Sequence, residues 1–340
     1  MAIRMGKQTV KLESKPKILS TYTVVGPKEG EGPLKDYFHE ILDDDMCQCE
    51  TFEKAESKIH YSAVQGCIKD ANVKESDINY IFSGDLLNQL FSSSFMARDL
   101  CIPFIGMYGA CSNMTETLSV AAMAVEAGCA NYAIASTSSH FSSAERQFRV
   151  PLEMGSQRTP SCQWTVTGAG AMMLTNRNVK HKPHITYITT GKIKDYGITD
   201  PNEMGAAMAP AAVDTIKQHF VDTGLKPNYY DLIVTGDLGS IGKTITEKLL
   251  LECKIDVKKN YIDCGAEIFD CEKQDTNSGG SGCGCSAAVM GSYIYKKMIK
   301  GELKRVLLVS TGALLNSIST LQGETIPGIA HAVAIEMDGD

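Results

Sequence analysis

The stretch Gly-Ala-Cys-Ser-Asn-Met-Thr around Cys111 stands directly ahead of a helix pattern with almost no charge, and this pairing constrains the fold more than any other feature. From Met114 to Ala127 the only charged residues are Glu116 and Glu126, and Gly128 supplies the stop. A helix this apolar is buried on nearly every side. Its N-terminus therefore lies deep in the molecule, where free N–H groups and the helix dipole act on Cys111 at low dielectric. Such a setting makes a reactive thiol. It equally makes a pocket for a carboxylate.

With 340 residues the chain exceeds one ordinary core and suits two domains or one duplicated domain. Strand-like runs at 79–83, 132–136, 169–174, 231–235 and 305–310 alternate with helical patterns such as 114–127. That alternation predicts an α/β fold with mostly parallel sheets covered by helices. The chain also repeats itself in order. Ile81-Phe82-Ser83-Gly84-Asp85-Leu86 matches Ile233-Val234-Thr235-Gly236-Asp237-Leu238. Ala110-Cys111-Ser112 matches Gly284-Cys285-Ser286, and Ile134-Ala135-Ser136-Thr137 matches Leu308-Val309-Ser310-Thr311. Two halves, 1–178 and 179–340, are expected, with their boundary near 179–183. Equivalent loops then meet across a pseudo-twofold axis and bring the Cys111 and Cys285 turns to one pocket. The run Gly279-Gly280-Ser281-Gly282-Cys283-Gly284 permits close backbone approach, and the small-residue helix start Ser286-Ala287-Ala288 follows it.

Net charge is −7 and the pI is acidic, which argues against a nucleic-acid partner. The twelve cysteines are scattered and residues 1–17 are basic without an apolar run, so free thiols in a reducing compartment are expected. Residues 1–17 read as a solvated tail. The pairs Cys47-Gln-Cys49 and Cys283-Gly-Cys285 lack zinc-site spacing, and no structural metal is expected. No apolar run reaches transmembrane length.

The duplicated halves, the Ala-Cys-Ser helix start, Thr167-Gly168-Ala169-Gly170-Ala171 and the Gly-rich loop resemble the thiolase-like superfamily, condensing enzymes included. The resemblance implies a five-layer αβαβα fold, with two mixed, mostly parallel sheets around buried central helices. Three further runs are more distinctive: Ser138-Ser139-His140-Phe141, Ala144-Glu145-Arg146-Gln147-Phe148-Arg149, and Gln163-Trp164-Thr165-Val166 leading into Thr167. These resemble the stage V sporulation AD family of spore-forming Firmicutes. That likeness implies a protein that binds dipicolinic acid and helps load it, with calcium, into the developing spore. It implies SpoVA-type membrane proteins as partners, a peripheral place on the cytoplasmic side of the spore inner membrane, no cofactor, and pairing as a homodimer.

Condensing enzymes need a thiolate with a histidine and a second histidine or asparagine from the second half. The resemblance places these at Gly236-Asp237 and at Cys283-Gly284-Cys285-Ser286, where neither residue type stands. Gly236 and Gly284 therefore read as lost catalytic positions, and Cys111 as a vestigial nucleophile. Among the histidines, His219 reads as a surface residue, His331 as structural in the last strand, and His39 and His60 carry no motif. His140 reads equally as a loop histidine and as a ligand contact. The rival reading is an active acyltransferase in which His140 serves Cys111. For a dianionic ligand the expected contacts are Cys111, Ser112, Ser139, His140, Arg146, Asp237, Gly284, Cys285 and Ser286, with Arg149 or Arg158 as alternatives to Arg146. A carboxylate at Asp237 repels a dianion and suits Ca²⁺, so a calcium bridge there is a further expectation.

Overall fold

The computed structural model describes residues 2–148 and 158–338. Ten principal strands run in chain order, five in each half of the topology. The first five are β1 (Lys17–Val25), β2 (Tyr80–Gly84), β3 (Phe104–Gly106), β4 (Tyr132–Ser139) and β5 (Gly168–Thr175). The second five are β6 (His184–Thr189), β7 (Leu232–Thr235), β8 (Tyr261–Asp263), β9 (Arg305–Ala313) and β10 (Gly328–Glu336). Their spatial order is β3-β2-β4-β5-β1 and then β6-β10-β9-β7-β8, so the second half repeats the order of the first. Each half has two parallel pairings and two antiparallel ones. The sheets are mixed, but the expectation that they are mostly parallel is corrected: the two senses occur in equal number, because β5 and β10 each run antiparallel to both neighbours. The halves touch edge to edge where Lys17 of β1 pairs with His184 of β6.

Alternation along the strands sends side chains to two different cores. Val306 and Leu308 of β9 face the central layer, whereas Leu307 and Val309 face an outer one. The outer layer of the first half is built on helices Phe52–Ala71 and Phe91–Leu100, and that of the second on Met204–Thr223 and Gly239–Glu252. Two helices fill the centre. One is Asn113–Glu126, here the Cys111 helix, whose Met114, Leu118, Ala121, Ala122 and Val125 are fully buried. The other, the Cys283 helix, begins as Cys283–Val289, passes through a π turn at Met290–Ile294, and continues as Tyr295–Ile299.

The Gly168–Ala171 run has a packing reason. A Cβ on Gly170 would stand 2.7 Å from the Ala287 carbonyl oxygen, and one on Gly284 would stand 2.4 Å from that of Gly168. The Cys283 helix thus lies directly on the β5 backbone, closer than side chains allow.

Two further expectations are corrected. Residues 1–17 are not a solvated tail. Ile3–Met5 and Thr9–Lys11 form a hairpin that adds to β6, and the Asp222 carboxylate accepts from the N–H groups of Lys7, Gln8 and Thr9. Charge had masked a strand whose Thr9 is buried, as is Leu12 just past its end. His219 is not on the surface either. It is buried between Thr189 Oγ1 at 2.8 Å and the Tyr230 hydroxyl at 2.6 Å, a polar bridge that helix periodicity does not report.

Gly284→Ala is expected to cost about 1–3 kcal/mol, the usual price of overpacking a tight core. Denaturant unfolding of the full chain measures this, and an unchanged midpoint would refute the close approach.

Candidate functional site around Cys111

The Cys111 turn is set by three neighbours. Ala110 is held at φ 52°, a left-handed conformation that costs an alanine about 1–2 kcal/mol. The Asn113 side chain offsets some of this by tying the turn down. Its Oδ1 accepts from the Gly109 N–H at 2.6 Å, and its Nδ2 donates to the Asp85 carbonyl at 3.1 Å. Across the boundary between halves, Gly312 of β9 presses on the turn so closely that a Cβ there would lie 2.3 Å from the Gly109 carbonyl oxygen. Cys111 ends up 6% exposed at the foot of a narrow crevice.

The crevice walls are mostly apolar: Leu86, Ala144, Phe148, Met204, Ala313 and Leu315. Thr165 and Ser281 stand beside the thiol, with Ser281 Oγ 4.0 Å from Cys111 Sγ. Glu145 at the wall is the only charged lining residue among those described.

Beneath the floor lies Asp237, buried to 1% exposure. Thr311 Oγ1 donates to its Oδ1 at 2.8 Å, while Ser281 Oγ at 3.1 Å and the Gly282 N–H at 3.0 Å donate to its Oδ2. Gln163 Nε2 donates both to the Asp237 carbonyl, at 2.6 Å, and to that of Gly280, at 2.9 Å. Burial raises the Asp237 carboxyl above the usual range, against the pull of these donors. Burial, and next the Asp237 charge, raise the Cys111 thiol well above its ordinary value. The dipole at the helix start is therefore overridden, and the sulfur keeps its proton.

No imidazole counters this. Each of the seven histidines is described, and none bonds to Cys111. His60 is buried among Ser83, Ser92 and Ser136, and His39 pairs with Thr23. His331 accepts from the Gly191 N–H, His184 faces Asp338, and His181 lies exposed in the turn before β6. His140, the expected candidate, is fully buried away from the crevice. Its Nε2 donates to the Asp45 carbonyl at 2.9 Å and its Nδ1 accepts from the Ser142 N–H at 3.1 Å. Both nitrogens are used, so the ligand-contact reading and the base reading of His140 are withdrawn.

Of the other expected contacts, only Cys111 lines the crevice and only Asp237 supports its floor. Ser112 Oγ donates back to the Gly109 carbonyl, closing its own turn. Ser139 Oγ donates to the Val166 carbonyl and accepts from the Gly284 N–H, stapling β4 to the Cys283 helix. Gly284 is buried backbone pressed on β5, and Ser286 turns inward toward the Cys283 carbonyl. Cys285 does not meet Cys111 in a shared pocket. The second central helix starts at Cys283, four residues earlier than the repeat offset from Asn113 would place it, so Cys285 lies inside the helix and packs into the core. Arg146 is half exposed and pairs with Glu53 at 3.3 Å, so it supplies no charge to the crevice. Arg158 bonds Asp275 and lies over the Trp164 ring. Arg149 lies outside the described residues. Gly236 packs against Ser310, and the side chain that reaches the thiol is the next one, Asp237.

Thr311, Ser281, Gln163 and Asn113 are the site residues that sequence reasoning missed. A signal existed for one of them: Thr311 closes a repeated run, and its counterpart Thr137 also donates from a buried hydroxyl, in that case across the halves to the Cys283 carbonyl at 3.0 Å. The distinctive 163–165 run also gains a role. Trp164 and Thr165 pair in parallel with Gly280 and Ser281, bracing the Gly-rich loop. Trp164 is itself clamped by Phe141, stacked at 3.7 Å.

At pH 7.5, Cys111 is expected to alkylate with iodoacetamide at least about ten-fold more slowly than the exposed Cys101 and Cys129 in the same molecule, since each pKa unit is tenfold in thiolate. Asp237→Asn should narrow that gap. Peptide mass spectrometry reads both rates, and faster labelling of native Cys111 would overturn the assignment.

The fold resembles solved condensing enzymes. A structure of Xanthomonas campestris OleA matches with TM-score 0.62 and 14% identity, covering 95% of this chain and 98% of that one. The 3-oxoacyl-[acyl-carrier-protein] synthase III of Aquifex aeolicus matches with TM-score 0.58 and 13% identity, covering 94% and 99%. These likenesses show the thiolase-like fold alone. Stage V sporulation protein AD of Bacillus subtilis (strain 168) is 45% identical over 334 residues, 98% of each chain. The family model for stage V sporulation protein AD matches residues 6–336. With a matching family model over nearly its whole length, the chain belongs to the stage V sporulation protein AD family, a sporulation family on the thiolase-like fold.

Proposed function

We propose that this protein is a non-catalytic member of the thiolase-like fold that binds dipicolinic acid, as its calcium chelate, and supports its uptake into the developing spore. The observation that carries the non-catalytic half is the buried Asp237 carboxylate beside a protonated Cys111, with no imidazole in reach. Thioester chemistry needs the reverse, a base that removes the thiol proton.

The lining of the crevice selects among forms of the ligand. It holds apolar walls, one carboxylate at the wall and another under the floor, and no cation among the described residues. A free dianion entering it would lose its hydration without a compensating charge. The one-to-one calcium chelate of dipicolinate is planar and carries no net charge, which suits such a slot. Asp237 does not serve as the expected bridge to calcium, because three protein donors already occupy its two oxygens. Among the described residues no cluster of three His, Cys, Asp or Glu side chains could hold a metal, so calcium enters on its chelator.

The reading includes a peripheral place at the cytoplasmic face of the spore inner membrane, beside SpoVA-type membrane proteins. No described helix is long and apolar enough to cross a membrane. It also includes a homodimer. The three-residue edge strand β3 has no outer strand partner among the described residues and exposes Ile105 at 47%, with Tyr108 just beyond it at 46% and Phe95 at 38% on the adjoining Phe91–Leu100 helix. An open edge with apolar side chains is complementary to a second copy of itself.

Titration calorimetry of the full chain should show dipicolinate binding at least about ten-fold tighter with equimolar calcium than without, a difference of about 1.4 kcal/mol. Ala313→Trp, which fills the crevice, should abolish it. Absence of heat under both conditions defeats the ligand, and a covalent Cys111 adduct after incubation with acyl-coenzyme A defeats the non-catalytic reading in favour of the acyltransferase. Light scattering should give a dimer mass, with Ile105→Lys shifting it to monomer; a monomeric native chain would remove the homodimer.

A further inference from the structure

The Cys283 helix has a second end, and the crevice uses only the first. Sixteen residues on, at a rise of about 1.5 Å each, the helix closes about 24 Å away at Ile299. There a groove of about 370 Å³ opens along β1, lined among others by His39, Asp70, Lys182, Tyr295, Lys296 and Lys300.

The charge of this groove is unbalanced. Lys182, half-buried in the turn before β6, donates to the Tyr295 hydroxyl at 3.2 Å and stands 5.8 Å over its ring. Lys296, also half-buried, donates to the Tyr37 carbonyl at 2.5 Å. Lys300 is exposed at the helix end. Among the described residues no carboxylate lies within ion-pair distance of any of the three ammonium groups. Asp70 is the only acid at the wall, and it is itself exposed. Burial lowers the pKa of both Lys182 and Lys296, against the pull of Asp70 on Lys182, so both cations are incompletely solvated and have only neutral oxygens as hydrogen-bond partners. His39, stacked on Tyr22 at 4.9 Å, is driven to about 4 by burial and then by the Lys296 charge, so it is neutral near pH 7.

Lysines near a helix C-terminus also answer the dipole. That role needs neither the burial of Lys296 nor the contribution of Lys182 from a different element. We propose that this groove is an anion site for a phosphate group, carried either by a lipid headgroup or by a small soluble phosphate. The choice of phosphate follows from the donors. Three ammonium groups act as separate point charges around a tetrahedral anion, whereas a planar carboxylate is best met by the fork of an arginine, and the groove has none.

The test uses the full chain and a charge-matched control. Lys296→Gln with Lys300→Gln removes two groove cations, and Lys226→Gln with Lys248→Gln removes two exposed cations from the second half. Glycerol 3-phosphate and phosphatidylglycerol vesicles are titrated against each, with phosphatidylcholine vesicles as the uncharged surface. At about five-fold per lysine, the groove variant should bind roughly 25-fold more weakly than the control. Loss confined to glycerol 3-phosphate assigns a soluble ligand, and loss confined to vesicles assigns a headgroup. Equal binding by the two variants, or no binding of either probe to the native chain, overturns the site. Thermal midpoints of both variants without ligand separate lost binding from lost folding.

Discussion

The Asp237 carboxylate is the point on which the centre of this molecule turns. It follows β7, and it gathers a donor from the end of β9 and two from the Gly-rich loop ahead of the Cys283 helix. Three separate segments of the second half are thereby fixed against the Cys111 turn of the first. A buried carboxylate stripped of such donors costs about 3–5 kcal/mol, so the loop and the charge hold each other in place. The same group decides the chemistry above it. A negative charge under a buried thiol, with the nearest imidazoles all committed elsewhere, leaves a sulfur that behaves as a small polarisable wall.

Asp263, at the end of the neighbouring strand β8, supports this arrangement. Its carboxylate accepts from Thr235 Oγ1 and from the N–H groups of Leu238, Gly239 and Ala266, so it caps the turn that carries Asp237. Burial lifts it to about 7 even with four donors. The first half answers with its own buried acids. Asp85 accepts from the Leu87 and Ser93 N–H groups, and its charge helps raise the thiol of Cys283, as Asp237 does that of Cys111. Each half thus places an acid against the cysteine of the other.

Much of this was legible in sequence because it is written in period and repetition. Strands at 79–83, 132–136 and 305–310 were visible as short apolar runs, and the repeated Gly-Asp-Leu motifs close, and the Ser-Thr motifs lie on, equivalent strands. The central helix announced itself by lacking charge. What did not show was direction. Ser112, Ser139 and Ser286 look like ligand hydroxyls in a motif, yet each turns to a nearby carbonyl, because a buried hydroxyl takes the closest backbone acceptor. Arg146 sits next to a wall residue of the crevice in sequence but points elsewhere on its helix, where Glu53 waits. Cys285 failed for a different reason: an earlier helix start is invisible to a motif match, and it puts Cys285 inside the helix where Cys111 stands ahead of one.

The π turn at Met290–Ile294 sets the orientation of everything beyond it. Its widened backbone leaves the Gly291 carbonyl to accept from Thr21 Oγ1 at 2.6 Å, anchoring the rod to β1 halfway along. One extra residue in an α-helix advances the downstream face by about 100°. Trimming that residue would leave the crevice end untouched and rotate Tyr295, Lys296 and Lys300 away from β1, so the two ends of this helix are indexed to each other by a single inserted peptide unit.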